Sequence, residues 1–134
     1  MHQIEIAYKS NLRTQCNHLQ SGHGISTDAP VENHGNGEAF SPTDLVVTAL
    51  GSCLLTIMGI AANTHGINID NSIARVTKIM STNPRRIGKI IVEIDIPYET
   101  SPKEQRLLNQ TAKSCPVHHS MHPDIEIEIN IHFN

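Results

Sequence analysis

The stretch Ser41-Pro42-Thr43-Asp44-Leu45-Val46-Val47-Thr48-Ala49-Leu50-Gly51-Ser52-Cys53-Leu54-Leu55-Thr56-Ile57-Met58 decides the reading of this chain. Ser41 is a good N-cap, Pro42 suits the first helical position, and Asp44 stands where a capping box needs an acid. No charge follows until well beyond Met58, and Asn63-Thr64-His65-Gly66 closes the helix, with Gly66 as a left-handed terminator. The uncharged run from 45 to 62 lies at the lower edge of what spans a bilayer. It contains Thr48, Gly51, Ser52, Thr56 and Gly59, and no basic or aromatic residues anchor its ends. It therefore reads as a helix buried in the centre of a protein rather than as a membrane span. One small domain cannot easily cover every face of such a helix, so a second subunit covering one side is expected.

Composition narrows the possibilities. A chain of 134 residues predicts a single domain over 1–134, large enough to bury a core without metals or disulfides. With no Trp, two Tyr and two Phe, that core must be aliphatic. The net charge is −3, and Lys and Arg are scattered, which gives nucleic-acid binding no footing. The opening Met-His-Gln-Ile-Glu-Ile lacks the segments of a signal peptide, and three cysteines suit a reducing compartment. A cytoplasmic location is the expectation.

Outward from the helix, Ile4, Ile6 and Tyr8 alternate with Glu5, Ala7 and Lys9 as a strand. Residues 12 to 28 continue more weakly, with a turn at Ser21-Gly22 and a short strand at Ile25 to Thr27. Pro30 to Phe40 is a loop by composition. After the helix come a strand around Ile73 to Ile79, a turn at Asn83-Pro84-Arg85-Arg86 and a strand from Lys89 to Ile96. Ser101-Pro102-Lys103-Glu104 opens a second helix, and Ile125 to Phe133 is a half-buried closing strand. The order predicts α+β with a mainly antiparallel sheet.

Cys53 lies too deep in its helix for the N-terminal dipole to help it ionise, and desolvation raises a thiol pKa. A reactive Cys53 therefore needs a cation from elsewhere. Arg13, placed at the end of the first strand, is the candidate, with Asp44 and Glu38 as the acids available to hold its guanidinium; the plain alternative is a solvated Arg13 and an Asp44 that only caps the helix. Cys115 precedes Pro116, which disfavours helical geometry at the cysteine and leaves its thiol near fresh backbone amides. That suits a resolving cysteine; an apolar filler beside a kink is the plain alternative. Cys16 has no such context and reads as structural. Cys115, His118 and His122 would share one face of a continuous helix, and zinc favours such ligands. No fourth ligand lies nearby, and Pro116 interrupts the helix.

Ser41-Pro42-Thr43-Asp44-Leu45 with Ala49-Leu50-Gly51-Ser52-Cys53, followed by Cys115-Pro116-Val117, resembles the OsmC/Ohr family of thiol peroxidases. The resemblance covers most of the chain. It implies an α+β homodimer, with sheets wrapped around two long central helices and active sites at the subunit interface. It further implies that Cys53 is peroxidatic and Cys115 resolving, through a sulfenic acid and then a Cys53–Cys115 disulfide. Arg13 is the nearest match to the family's activating arginine, and a dihydrolipoyl-type dithiol is the implied reductant. Where the organic-hydroperoxide branch has a glutamate to hold that arginine, this chain has Thr43; Asp44 follows about 100° further round the helix.

The resulting expectation is a homodimeric peroxidase that needs no metal or other cofactor and reduces organic hydroperoxides. The aliphatic surroundings of Cys53 favour alkyl or fatty-acid substrates. Two rivals stand beside it: a non-catalytic member of the fold binding a small apolar ligand at the dimer interface, and a metal-binding protein using Cys115 and the nearby histidines.

Overall fold

The computed structural model describes residues 1–134. The chain divides into two compact units, Met1–Val46 and Val47–Asn134. The first unit holds three antiparallel strands in sequential order: β1 (Ile4–Ser10), β2 (Arg13–His18) and β3 (Gly24–Asp28). The reading of residues 12 to 28 as a weak continuation corrects to a full strand, β2, and Arg13 opens it rather than ending β1. Thr14 and Cys16 alternate there with Gln15 and Asn17, so β2 has no clean apolar period to announce it. The hairpin joining β2 to β3 turns where Ser21-Gly22 predicts, closed by His18 and Gly22 backbone bonds of 2.8 Å.

One face of this sheet is apolar and uncovered. Ile4, Ile6 and Tyr8 keep 57%, 63% and 66% of their surface, and Ile25 joins them through the register Ile6↔Cys16↔Ile25. The predicted loop follows, containing a single 3-10 turn at Val31–Asn33.

Helix α1 (Pro42–His65) begins at the end of the first unit, and its remaining turns belong to the second. Its start realises the capping box in full. Asp44 N–H donates to Ser41 Oγ at 3.1 Å, and Ser41 N–H donates to Asp44 Oδ2 at 2.9 Å. Gly66 ends it with φ 68°, as expected. By length and composition α1 is apolar enough to cross a membrane, yet it is segregated rather than uniformly covered. Val47, Leu50, Leu54, Met58 and Ala62 form the buried stripe, whereas Val46, Ser52, Thr56 and Ile60 lie exposed.

In the second unit, β4 (Ile73–Ser81) and β5 (Arg86–Ile96) form an antiparallel hairpin. Next come α2 (Pro102–Ala112) and the short α3 (Pro116–Ser120), and then β6 (Glu126–Phe133) pairs parallel to β5. That pairing departs from the antiparallel majority because the intervening helices return the chain to the same end of the sheet. The core is aliphatic, as composition requires. Ile90, Val92, Ile94 and Ile96 of β5 pack on Leu50, Leu54 and Met58 of α1 and on Leu108 of α2. Gly51 lets α1 approach β4 closely, since a Cβ there would stand 2.9 Å from Val76 Cγ2.

Candidate functional site: a thiol pair and a forked arginine

Within the second unit, α1 and the α2–α3 corner bring the two predicted thiols together. Both are free, and Cys53 is the neighbouring thiol that acts on Cys115. Cys53 is half-buried and packs against the core, whereas Cys115 is fully buried. Pro116 does what its chemistry dictates. Cys115 is extended (φ −66°, ψ 118°), acts as the N-cap of α3, and its Sγ accepts from His118 N–H at 3.4 Å. Burial pushes the Cys115 thiol up, and the neighbouring Cys53 pushes it further. The amides of His118 and Val117 pull the other way. Cys115 therefore rests as a protonated thiol beside Cys53.

Within the first unit, Arg13 is held in a fork by an acid that sequence reasoning did not name. Its Nε donates to Asp28 Oδ1 at 2.6 Å and its Nη2 to Asp28 Oδ2 at 2.7 Å. The Asp28 side chain has no exposed surface and also accepts Glu38 N–H at 3.0 Å. Glu38 adds an outer contact, Oε1 to Arg13 Nη2 at 3.5 Å, from an exposed side chain. Of the two acids expected for Arg13, Glu38 thus contributes from outside the fork, while Asp44 is occupied in the α1 cap. The reason is register: β2 and β3 set Arg13 directly opposite Asp28. The Arg13 hydrogen bond holds the Asp28 carboxyl below its usual range, and the same bond raises Arg13.

The turn that delivers Arg13 is unusual. Ser10, Asn11 and Leu12 all have positive φ (80°, 55° and 62°), a left-handed backbone uncommon for leucine. Leu12 is fixed there by its N–H on Tyr8 Oη at 3.3 Å and its carbonyl on Ala29 N–H at 3.0 Å. Gly35 packs the following loop against Ala29 so closely that a Cβ would lie 1.9 Å from the Ala29 carbonyl oxygen. This loop carries Glu38 to Asp28 and Arg13.

Cys16 sits half-buried in β2, with Thr14 Oγ1 3.7 Å from its sulfur. No three His, Cys, Asp or Glu side chains converge as a metal site. Cys115, His118 and His122 do not share a helix face, because α3 stops at Ser120 and His122 accepts from Asp124 N–H beyond it.

Comparison with known proteins decides the family. A model of the OsmC-like protein family matches residues 35–130. The chain belongs to the OsmC-like family. A crystal structure of a candidate osmotic stress induced and detoxification response protein from Psychrobacter arcticus is 47% identical, with a TM-score of 0.95. It covers 98% of this chain and 96% of its own. An OsmC-like protein from Mycoplasma pneumoniae is 20% identical, covering 99% and 96% with a TM-score of 0.82. An organic hydroperoxide resistance protein from Legionella pneumophila is 13% identical, covering 96% and 93% with a TM-score of 0.75. The last two establish a shared fold. No curated protein matches the chain. The OsmC-like architecture expected from the motifs, α+β with two sheets, is the observed one. Asp28 is the residue that motif reasoning missed, because only the exact β2–β3 register, centred between Gln20 and Ser21, sets it opposite Arg13.

Proposed function

We propose that this OsmC-like protein is a thiol-dependent peroxidase reducing organic hydroperoxides to alcohols. The observation that carries the reading is a pair of free thiols, Cys53 beside Cys115 and acting on its thiol. The Cys53 thiolate attacks the terminal peroxide oxygen, the O–O bond breaks, and the departing alkoxide takes a proton to leave as alcohol. Cys53 becomes a sulfenic acid, oxidised by two electrons. Cys115 then attacks the Cys53 sulfur, a disulfide forms, and its proton leaves with the hydroxyl as water. Because Cys115 rests as a thiol, its deprotonation falls at this second step, where the leaving hydroxyl accepts the proton.

Arg13, forked by Asp28 and flanked by Glu38, supplies the fixed positive charge that family resemblance assigns to the peroxidatic step. The aliphatic residues packed around Cys53 support an alkyl hydroperoxide as substrate. An external dithiol of lipoyl type returns the disulfide to thiols. Relatives named as organic hydroperoxide resistance proteins support the assignment at the level of fold. The functional unit is a homodimer, supported by the uncovered apolar face of β1 and the exposed residues of α1, and the three free cysteines support a cytoplasmic location.

A non-catalytic reading, with the fold retained to bind an apolar ligand, is favoured by one observation: the raised Cys115 thiol. Turnover separates the two. Purified protein supplied with dihydrolipoamide and cumene hydroperoxide is expected to consume peroxide, and Cys53→Ser to consume none. Equal consumption by both proteins defeats the peroxidase reading.

A further inference from the structure

The second unit carries a groove of about 400 Å³ between the end of α2, α3 and β6, in the size range of small-molecule sites. Its floor is apolar: Ile127, Ile129 and Ile131 are alternate residues of one face of β6, which is the edge strand of its sheet. They extend over about 13 Å, the reach of a medium-length alkyl chain. Its rim is polar and lacks an acid. Lys113 caps α2 and makes no ion pair, and Asn109 spends its Nδ2 on the Gln105 carbonyl at 2.9 Å. His118 completes the rim, and its Nδ1 is buried with no hydrogen-bond partner. An N–H there would be orphaned, so the ring proton belongs on Nε2, the one ring nitrogen left to meet a ligand.

An uncompensated ammonium and an imidazole N–H at one end of an apolar trough select a particular chemistry. We infer that this groove binds a small amphiphile with a medium-length apolar body and a carboxylate head. The body lies along Ile127, Ile129 and Ile131, and the head meets Lys113 Nζ and His118 Nε2. The assignment uses neither Cys53 nor Arg13, so it stands or falls separately from the peroxidase reading.

The test is a titration of the full-length protein with octanoate, followed by backbone amide NMR. Lys113→Glu and Asn109→Trp serve as variants, both at exposed positions, with thermal melting to verify folding. Saturable shifts at Lys113, His118 and the β6 isoleucines are expected. Lys113→Glu should weaken binding about fivefold or more, since it replaces an attraction by a repulsion. Asn109→Trp, which fills the trough, should abolish it, and neutral octanol should bind more weakly than octanoate. Three results overturn the inference: no saturable shifts at millimolar octanoate, equal affinity for octanol, or unchanged affinity in both folded variants. Amides of the groove already shielded from exchange by a second copy of the chain would overturn it as well.

Discussion

Asp28 grips Arg13 through both Nε and Nη2, at 2.6 and 2.7 Å, with its carboxylate sealed from solvent and tied to the Glu38 amide. The arginine is thereby fixed in the plane and direction of that fork. Asp28→Asn keeps the shape but loses the charge and one acceptor. Under the peroxidase account it lowers kcat/KM for cumene hydroperoxide by about a hundredfold, the scale of a misplaced catalytic group. Asp28→Glu should recover part of that loss. Steady-state kinetics of the three proteins measures it.

The same pair gives a pH signature. Asp28 is held below its usual range, so the stabilisation it brings is present above the ordinary carboxylate pKa and is lost as pH falls through the lowered one. Thermal melting of the wild type should decline along this acid limb. In Asp28→Asn the limb should flatten, while the midpoint at neutral pH drops.

Cys115 shows the opposite sign. Burial and its neighbour Cys53 push its thiol up, so the associated stability is full below the ordinary thiol range and is lost as pH rises through the raised pKa. Iodoacetamide should therefore label Cys115 last, and only under more alkaline conditions than an ordinary thiol requires. Cys53→Ala removes both contributions of the neighbouring sulfur and should move Cys115 labelling to lower pH. Peptide mass spectrometry across a pH series reads both effects.

The two glycines inside α1 should respond in opposite directions. Gly59 has open space where a Cβ would go, so Gly59→Ala should stabilise by about 0.5–1 kcal/mol through helix propensity alone. At Gly51 an added Cβ would stand 2.9 Å from Val76 Cγ2, where overpacking costs about 1–3 kcal/mol and outweighs that gain. Denaturant unfolding of the two variants checks the contrast. A Gly59→Ala protein less stable than wild type would place a partner against that side of the helix.

The proposed homodimer can be broken at β1. Ile6 is 63% exposed at the centre of the uncovered apolar face, and Ile6→Lys should give a folded monomer in sedimentation velocity. A wild-type protein that already sediments as a monomer contradicts the dimer.

The elements with strong local grammar were legible in the sequence. Ser41 with Asp44 and Ser101 with Glu104 form the capping boxes their spacing predicts, and Gly66 terminates α1. The Cys53–Cys115 juxtaposition was reached through the motifs rather than through periodicity, because their spacing alone says nothing about where α2 returns. The strand β2 and the Arg13–Asp28 fork were not read. Polar residues occupy both faces of β2, and the partner of Arg13 is set by a hairpin register instead of by a motif. The parallel pairing of β6 likewise depends on where the crossover helices deliver it, which alternation in Ile125 to Phe133 does not encode.

Two cysteines that exchange electrons with a peroxide carry the proposed function, and a thiol count reads that exchange. Reduced protein is assayed before and after one equivalent of cumene hydroperoxide, and its peptides are mapped by mass spectrometry. Rapid loss of two thiols, a Cys53–Cys115 disulfide and an unmodified Cys16 are expected. Three thiols surviving the peroxide would contradict the proposed function.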